Sequence, residues 1–274
     1  MDLGDASRRD TLAAVRIARF TTEDEEPRFA AVGQDTEGRP VLAVLRGDPL
    51  YAAPELTGEK VDLEDVRLLA PVIPRSKVVG VGRNYADHAA ELGNEVPAEP
   101  LLFLKPNTAV IGPDDPIVLP PQSQEVHHEA ELAIVIGRVC KDVPPERVRD
   151  VIYGYTCGND VTARDLQRTD DQWARAKGFD SFCPLGPWIE TDLDPSDLSV
   201  RCLVRDEVRQ DGRTSQMIHN VTALVTYISA AFTLLPGDVI LTGTPAGVGP
   251  LVAGDEVTVA IEDIGALTNR VVAP

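Results

Sequence analysis

The run HisHisGluAlaGluLeuAlaIleValIleGly, which begins at His127, sets Glu129 and Glu131 two residues apart at the head of an apolar stretch. Side chains alternate along a strand, so both carboxylates fall on one face while Leu132, Ile134 and Ile136 fall on the other. Two carboxylates in one small volume repel each other, and they are tolerated when water or a cation neutralises them. Alone, such a pair is most often the wet face of an edge strand. A third acid, Asp160, closes TyrGlyTyrThrCysGlyAsnAsp, where an apolar and aromatic strand ends before a helical segment. By itself Asp160 reads as an N-cap for that helix. If the three acids converge, the all-oxygen site suits Mg²⁺ or Mn²⁺ rather than zinc and leaves coordination positions for water and substrate.

His88 and Glu91 lie three residues apart in AsnTyrAlaAspHisAlaAlaGluLeu (84–92), on one side of a predicted short helix that stops at Gly93. A carboxylate beside an imidazole raises its basicity and fixes its orientation, as a general base requires. The same pair is common on ordinary surface helices. GlyValGlyArgAsnTyr (80–85) has Tyr85 where a dinucleotide fingerprint needs its third glycine, and GlyThrProAlaGlyValGly (243–249) lacks the lysine of a P-loop. Neither supports a nucleotide site, although such loops can aim backbone N–H groups at a substrate carboxylate.

The elements that must position these residues are mostly strands. Strands are expected at 16–20, 29–32, 41–45, 78–82, 101–104, 131–136, 151–157, 238–242, 255–261 and 268–272. Helical periodicity covers 164–176 and 219–232, and Pro144 and Pro145 open a short helix. Strands do not alternate regularly with helices, so a mixed, largely antiparallel β-rich α+β architecture is expected rather than a doubly wound sheet. The stretch around Pro71 and Pro74 separates a small β-rich unit (1–70) from a larger domain (71–274).

With 274 residues, the chain can bury a sizeable core without staples. Its four cysteines form no CxxC pair and read as reduced core thiols. The net charge of -18, from 44 acidic against 26 basic residues spread along the chain, argues against nucleic acid as a partner. No apolar run reaches membrane-spanning length and the first residues lack a signal-like apolar segment, so a cytoplasmic protein without a membrane partner is expected.

GlyArgAsnTyrAlaAspHis (82–88), PheLeuLysPro (103–106), HisHisGluAlaGluLeuAla (127–133), GlyTyrThrCysGlyAsnAspValThrAlaArgAspLeuGln (154–167), LysGlyPheAspSerPheCysProLeuGlyPro (177–187) and LeuThrGlyThrProAlaGlyValGlyPro (241–250) together resemble the fumarylacetoacetate hydrolase family. Order and spacing match from about residue 71 to the C-terminus. The likeness is greatest to its shorter branch, which includes acylpyruvate hydrolases, oxaloacetate decarboxylases and 2-hydroxyhepta-2,4-diene-1,7-dioate isomerases of aromatic catabolism. It implies a rolled mixed β-sandwich with a small N-terminal β domain, a homodimer, and Mg²⁺ or Mn²⁺ on Glu129, Glu131 and Asp160. It also implies a lid dyad of His88 and Glu91, and substrate contacts from Arg83, Arg164, Gln167, Lys177 and Thr244, with Lys105 as a weaker candidate. Val81 stands where the long eukaryotic enzyme carries a fourth acidic ligand, which sets the fumarylacetoacetate reaction itself aside.

The expected activity is C–C hydrolysis of an acylpyruvate-like 2-oxo acid through a metal-stabilised enolate, with Lys177 stabilising or protonating it. Isomerisation of the heptadienedioate and decarboxylation of oxaloacetate need the same enolate and are the alternatives. A catalytically silent metal-binding scaffold is the non-enzyme alternative, against which stand both the acid triad and the His88/Glu91 pair.

Overall fold

The computed structural model describes residues 15–22, 26–91, 93 and 96–274, so the first 14 residues of the expected N-terminal unit and the Leu92 end of the expected 84–92 helix lie outside the described residues. In chain order the strands and helices begin with β1 (Arg16–Thr21), β2 (Arg28–Gln34), β3 (Pro40–Leu45), β4 (Leu56–Asp62), β5 (Arg67–Leu69), β6 (Val78–Gly82), α1 (Ala86–Glu91), β7 (Leu101–Lys105), β8 (Val110–Ile111) and β9 (Ile117–Val118). Next come β10 (Val126–His127), β11 (Ala130–Ile136), β12 (Ile152–Asn159), β13 (Thr162–Ala163), α2 (Arg164–Thr169), α3 (Ala174–Gly178) and β14 (Cys183–Glu190). The chain closes with β15 (Ser199–Val204), β16 (Glu207–Arg213), α4 (Val221–Ala231), β17 (Val239–Leu241), β18 (Glu256–Ile261) and β19 (Gly265–Val272).

Among the described residues, 12 strands join in one sheet whose main path runs β4-β3-β2-β1-β14-β12-β11-β17-β6-β7. A second sheet has the order β16-β15-β18-β19-β9, and β10 pairs with β13. Pairing is antiparallel except for β6 with β17, β8 with β14 and β9 with β19. This is the mixed, largely antiparallel β-rich architecture the strand pattern predicts, in the sandwich form the family resemblance implies. The two sheets enclose a core in which Leu132, Ile134 and Ile136 of β11 meet Cys202, Val259 and Ile261. On its other face β11 packs Ala133 and Val135 against Val78, Val239 and Leu241. All seven residues of β11 are buried, so Glu131 does not stand on a wet edge; it belongs to an interior strand flanked by β12 and β17, and Glu129 just before that strand is buried as well.

The N-terminal strands have their own small core of Ala18, Phe20, Ala30, Leu42 and Val44. They also extend the large sheet, because β1 pairs with β14 through Arg16 opposite Glu190 and Ile17 opposite Ile189. All four cysteines are free and buried. No helix among the described residues is long and apolar enough to cross a membrane.

The expected helix over 164–176 is two short ones. Asp170 is extended (φ −87°, ψ 137°) and ends α2, and its carboxylate takes two hydrogen bonds from Arg175, at 2.6 and 2.9 Å. The longer strands β4, β14, β15 and β16 and the short strands β5, β8, β9, β10 and β13 lie outside the expected ranges. In β14 the run CysProLeuGlyPro reads as loop, yet it pairs with β12 across an irregular stretch where proline's missing N–H is tolerated. The close approach of β12 to β14 requires Gly154, where a Cβ would lie 2.4 Å from the Glu190 carbonyl oxygen. Gly154→Ala should therefore destabilise the fold by about 1–3 kcal/mol. Urea denaturation tests this through a lower midpoint at an unchanged slope.

Candidate active site

Two strand ends build the acid cluster. Glu129 lies one residue before β11 and Asp160 one residue after β12, and the antiparallel pairing of these strands brings them together. The Asp160 N–H donates to the Glu129 carbonyl (2.9 Å), and the Glu129 N–H donates to the Asn159 side-chain oxygen (2.9 Å). Oxygen atoms of Glu129, Glu131 and Asp160 all lie within 4.8 Å of one another. The residues are 3 %, 2 % and 1 % exposed. Asp160 does not cap α2, whose N-cap is Ala163.

Cations surround the cluster. Lys177 Nζ donates to Glu129 (2.6 Å) and to Asp160 (2.5 Å), and Arg164 pairs with Glu129 while donating to Gln167 Oε1 (2.8 Å). Burial opposes ionisation of Glu129, but Arg164 and Lys177 hold its carboxyl well below the usual range. For Glu131 burial acts with the neighbouring Asp160 and Glu129, and its carboxyl rises well above that range. Burial disfavours the charged Lys177, yet Asp160 and Glu129 outweigh it and keep the ammonium protonated. Three hard oxygen donors this close, one of them unable to ionise easily beside the others, fit a divalent cation of the Mg²⁺ or Mn²⁺ type.

Gly243 turns toward the cluster with φ 97°, and its N–H donates to Glu131 (2.7 Å). A Cβ there would sit 2.7 Å from that of Asn84, so both the turn and the space call for glycine. The second glycine-rich loop thus spends this N–H on a protein carboxylate. Gly247 does the same, donating to Glu91 at 3.1 Å. Thr244 Oγ1 donates to the Ala130 carbonyl (2.8 Å) and accepts from Gln210 (2.7 Å).

His88 projects from α1 with Nε2 3.9 Å from Glu129 and Nδ1 3.6 Å from Glu91, contacts too long for hydrogen bonds. Burial pulls its pKa below the ordinary value, with Glu129 opposing only in part, so the imidazole is neutral and able to take a proton. A cavity of about 380 Å³ is lined by Arg83, His88, Glu129, Glu131, Arg164, Gln167, Lys177 and Thr244, together with Val81, Gly82, Arg168 and Trp173. Asp160, which is buried, and Glu91, which is exposed, are not part of this lining. A larger cleft, about 660 Å³, lies at the N-terminus of α4 and contains none of these groups.

Lys105 stands apart from the other expected substrate contacts. It is buried on Asp160 (2.5 Å) and is not part of the cavity lining. Sequence reasoning missed Asn159, Gln210, Gly243 and Trp173. Gln210 comes from an unexpected strand, yet it donates to Thr244 and to Pro245 O (2.8 Å) and accepts from Ala130 N (3.0 Å), tying the small sheet to the site.

A buried carboxylate cluster that could hold a metal ion and a nearby imidazole thus meet at the strand ends of a mixed β-sandwich. Residues 77–272 match the family described as fumarylacetoacetate (FAA) hydrolase C-terminal, and residues 15–71 match Rv2993c-like, N-terminal. The chain belongs to the fumarylacetoacetate hydrolase family. It is 54 % identical to a solved structure named 5-carboxymethyl-2-hydroxymuconate delta-isomerase from Mycobacterium smegmatis, over 94 % of this chain and 100 % of that one, with a TM-score of 0.87. It is 46 % identical to oxaloacetate tautomerase FAHD2A, mitochondrial, of Bos taurus, over 86 % of this chain and 77 % of that protein. A fumarylpyruvate hydrolase from Pseudomonas aeruginosa, solved with Mn²⁺ and pyruvate, is 35 % identical over 74 % of this chain and 91 % of its own, with a TM-score of 0.70.

Glu131→Gln should weaken Mn²⁺ binding at least about tenfold. The fold should survive, since the amide oxygen still accepts from Gly243 and repulsion among the acids falls. Titration of Mn²⁺ followed by electron paramagnetic resonance, with thermal denaturation of the metal-free protein, checks both halves. An unchanged Mn²⁺ affinity would remove Glu131 from the ligand set.

Proposed function

We propose that this protein is a divalent-cation-dependent enzyme that moves protons at the enol of a small 2-oxo acid, with keto–enol interconversion of a short acid such as oxaloacetate as its reaction. The observation that carries this reading is the buried Glu129, Glu131 and Asp160 cluster sharing a cavity edge with the neutral imidazole of His88. The isomerase and tautomerase relatives, at 54 % and 46 % identity, support interconversion ahead of cleavage. Hydrolysis of the C3–C4 bond of an acylpyruvate is the second reading. It is favoured by the fumarylpyruvate hydrolase likeness and by the His88/Glu91 pair, which suits water activation as well as proton transfer from carbon.

A divalent cation held by Glu129, Glu131 and Asp160 would supply Lewis acidity, making the 2-oxo oxygen of the substrate easier to charge. The chain's own groups do the rest. His88, kept neutral by burial, accepts a proton from C3 of the keto acid, and Glu91 steadies the charge the ring then carries. Lys177, an ammonium in the cavity lining, faces the oxygen that gains negative charge, and the proton taken up by His88 is then passed to that oxygen to complete the enol. These interactions strengthen as charge develops, so they favour the transition state over the bound substrate. The walls hold Arg83, Arg164 and Arg168, which suit an anionic substrate in a chain of strongly negative net charge.

Protein stripped with EDTA should lose acceleration of the enol-to-keto change of oxaloacetate, followed by ultraviolet absorbance, and regain it with Mg²⁺ or Mn²⁺. Acetylpyruvate cleavage assayed on the same preparation decides between the two readings. Absence of metal-dependent turnover of both substrates would sink the enzyme reading in favour of a silent scaffold. His88→Ala should lower kcat by roughly 10²- to 10⁴-fold, the range for a lost general base. Mn²⁺ affinity, measured alongside, should stay nearly unchanged, and a parallel loss of metal binding would show that His88 holds the site together instead.

A further inference from the structure

If the cavity takes a 2-oxo acid, its acids and cations engage the C1–C2 end, and something else must limit what hangs from C3. Apart from Val81 and Gly82 the lining is polar, with one large apolar side chain, Trp173. This residue caps α3, and its carbonyl accepts the Lys177 N–H (2.9 Å), so the wall and the ammonium belong to one helical turn.

The indole is held on three sides. Phe103 meets it edge-on, with centroids 5.7 Å apart and planes at 67°. The Arg83 guanidinium lies over the ring at 5.9 Å. On the third side is Gly82, where a Cβ would come within 2.7 Å of the indole Cζ3. Gly80, two residues earlier on β6, makes the same allowance for Phe103, whose ring would be 2.1 Å from a Cβ. Two glycines on one face of β6 thus seat two rings directly on the backbone, and a ring packed in this way has little room to swing. The cavity, about 380 Å³, is also near the small end of the roughly 300–1,000 Å³ range of ligand sites.

We propose that Trp173 is a specificity-determining residue that restricts the substituent on C3 of the 2-oxo acid to short groups. This rests on the 2-oxo acid reading, so the test uses binding rather than turnover. Oxamate and N-hexyloxamate present the same carboxylate and adjacent carbonyl and differ in the length of the chain beyond the amide nitrogen. Isothermal titration of each into Mn²⁺-saturated protein should show that the wild type binds oxamate and discriminates against the hexyl compound. In Trp173→Ala the ratio of the two affinities should move toward the longer ligand by roughly 10- to 100-fold. Trp173→Phe, which keeps a ring against Phe103, should fall between them, and it carries the test if the alanine variant does not fold. An unchanged ratio overturns the proposal. So does a parallel loss of both ligands, which would mean that Trp173 only seats Lys177. A wild type that binds neither oxamate with Mn²⁺ present brings down the 2-oxo acid reading itself, and the size limit with it.

Discussion

Three carboxylates drawn into the interior within a few ångströms of one another repel strongly, and much of the surrounding structure answers that repulsion. Lys105 from β7, Arg164 from α2 and Lys177 from α3 each reach the cluster from a different element. A buried charge without a partner costs several kcal/mol, so these pairs hold the elements as much as the elements hold the pairs. Helices α2 and α3 have six and five residues, too short to persist on propensity alone. Their cationic side chains, anchored on Glu129 and Asp160, help explain why they stay folded where they are.

The repulsion is also divided unequally. Two cations crowd Glu129, whereas Glu131 receives only the Gly243 N–H and looks toward the other two acids. Two carboxyls only two residues apart consequently differ in their readiness to ionise. Such a split marks catalytic and metal-binding sites more often than structural ion pairs. The balance suits a doubly charged ion, which would relieve the carboxylate that the protein's own cations leave least compensated.

The order of strands, the Glu129/Glu131 spacing and the strand-end position of Asp160 were legible because period-two alternation and glycine punctuation are local signals. Burial of the acids was not. GluXaaGlu alone is most often a wet edge, and only the placement of β11 between β12 and β17 decides the matter. Lys105 illustrates the same limit, since the family resemblance made it a weaker candidate for substrate contact while in the fold its ammonium is paired with Asp160. Gln210 and Asn159 act through hydrogen bonds to distant backbone, which no spacing along the chain reveals. The helix expected over 164–176 failed for a related reason, because the Asp170–Arg175 contact and the demand that Lys177 reach the acids outweigh helical periodicity.

The site is assembled from two kinds of material. Its acids sit at or beside the ends of two interior strands, with Glu129 and Asp160 tied by a backbone hydrogen bond, whereas Arg83, His88, Glu91 and Trp173 belong to short segments around the sandwich. Changes in the first set disturb a packed sheet, and changes in the second alter what fits and where a proton goes while the sheet stays intact. Descent can therefore redirect such a protein from one ligand to another by editing its periphery, with the charged interior inherited whole.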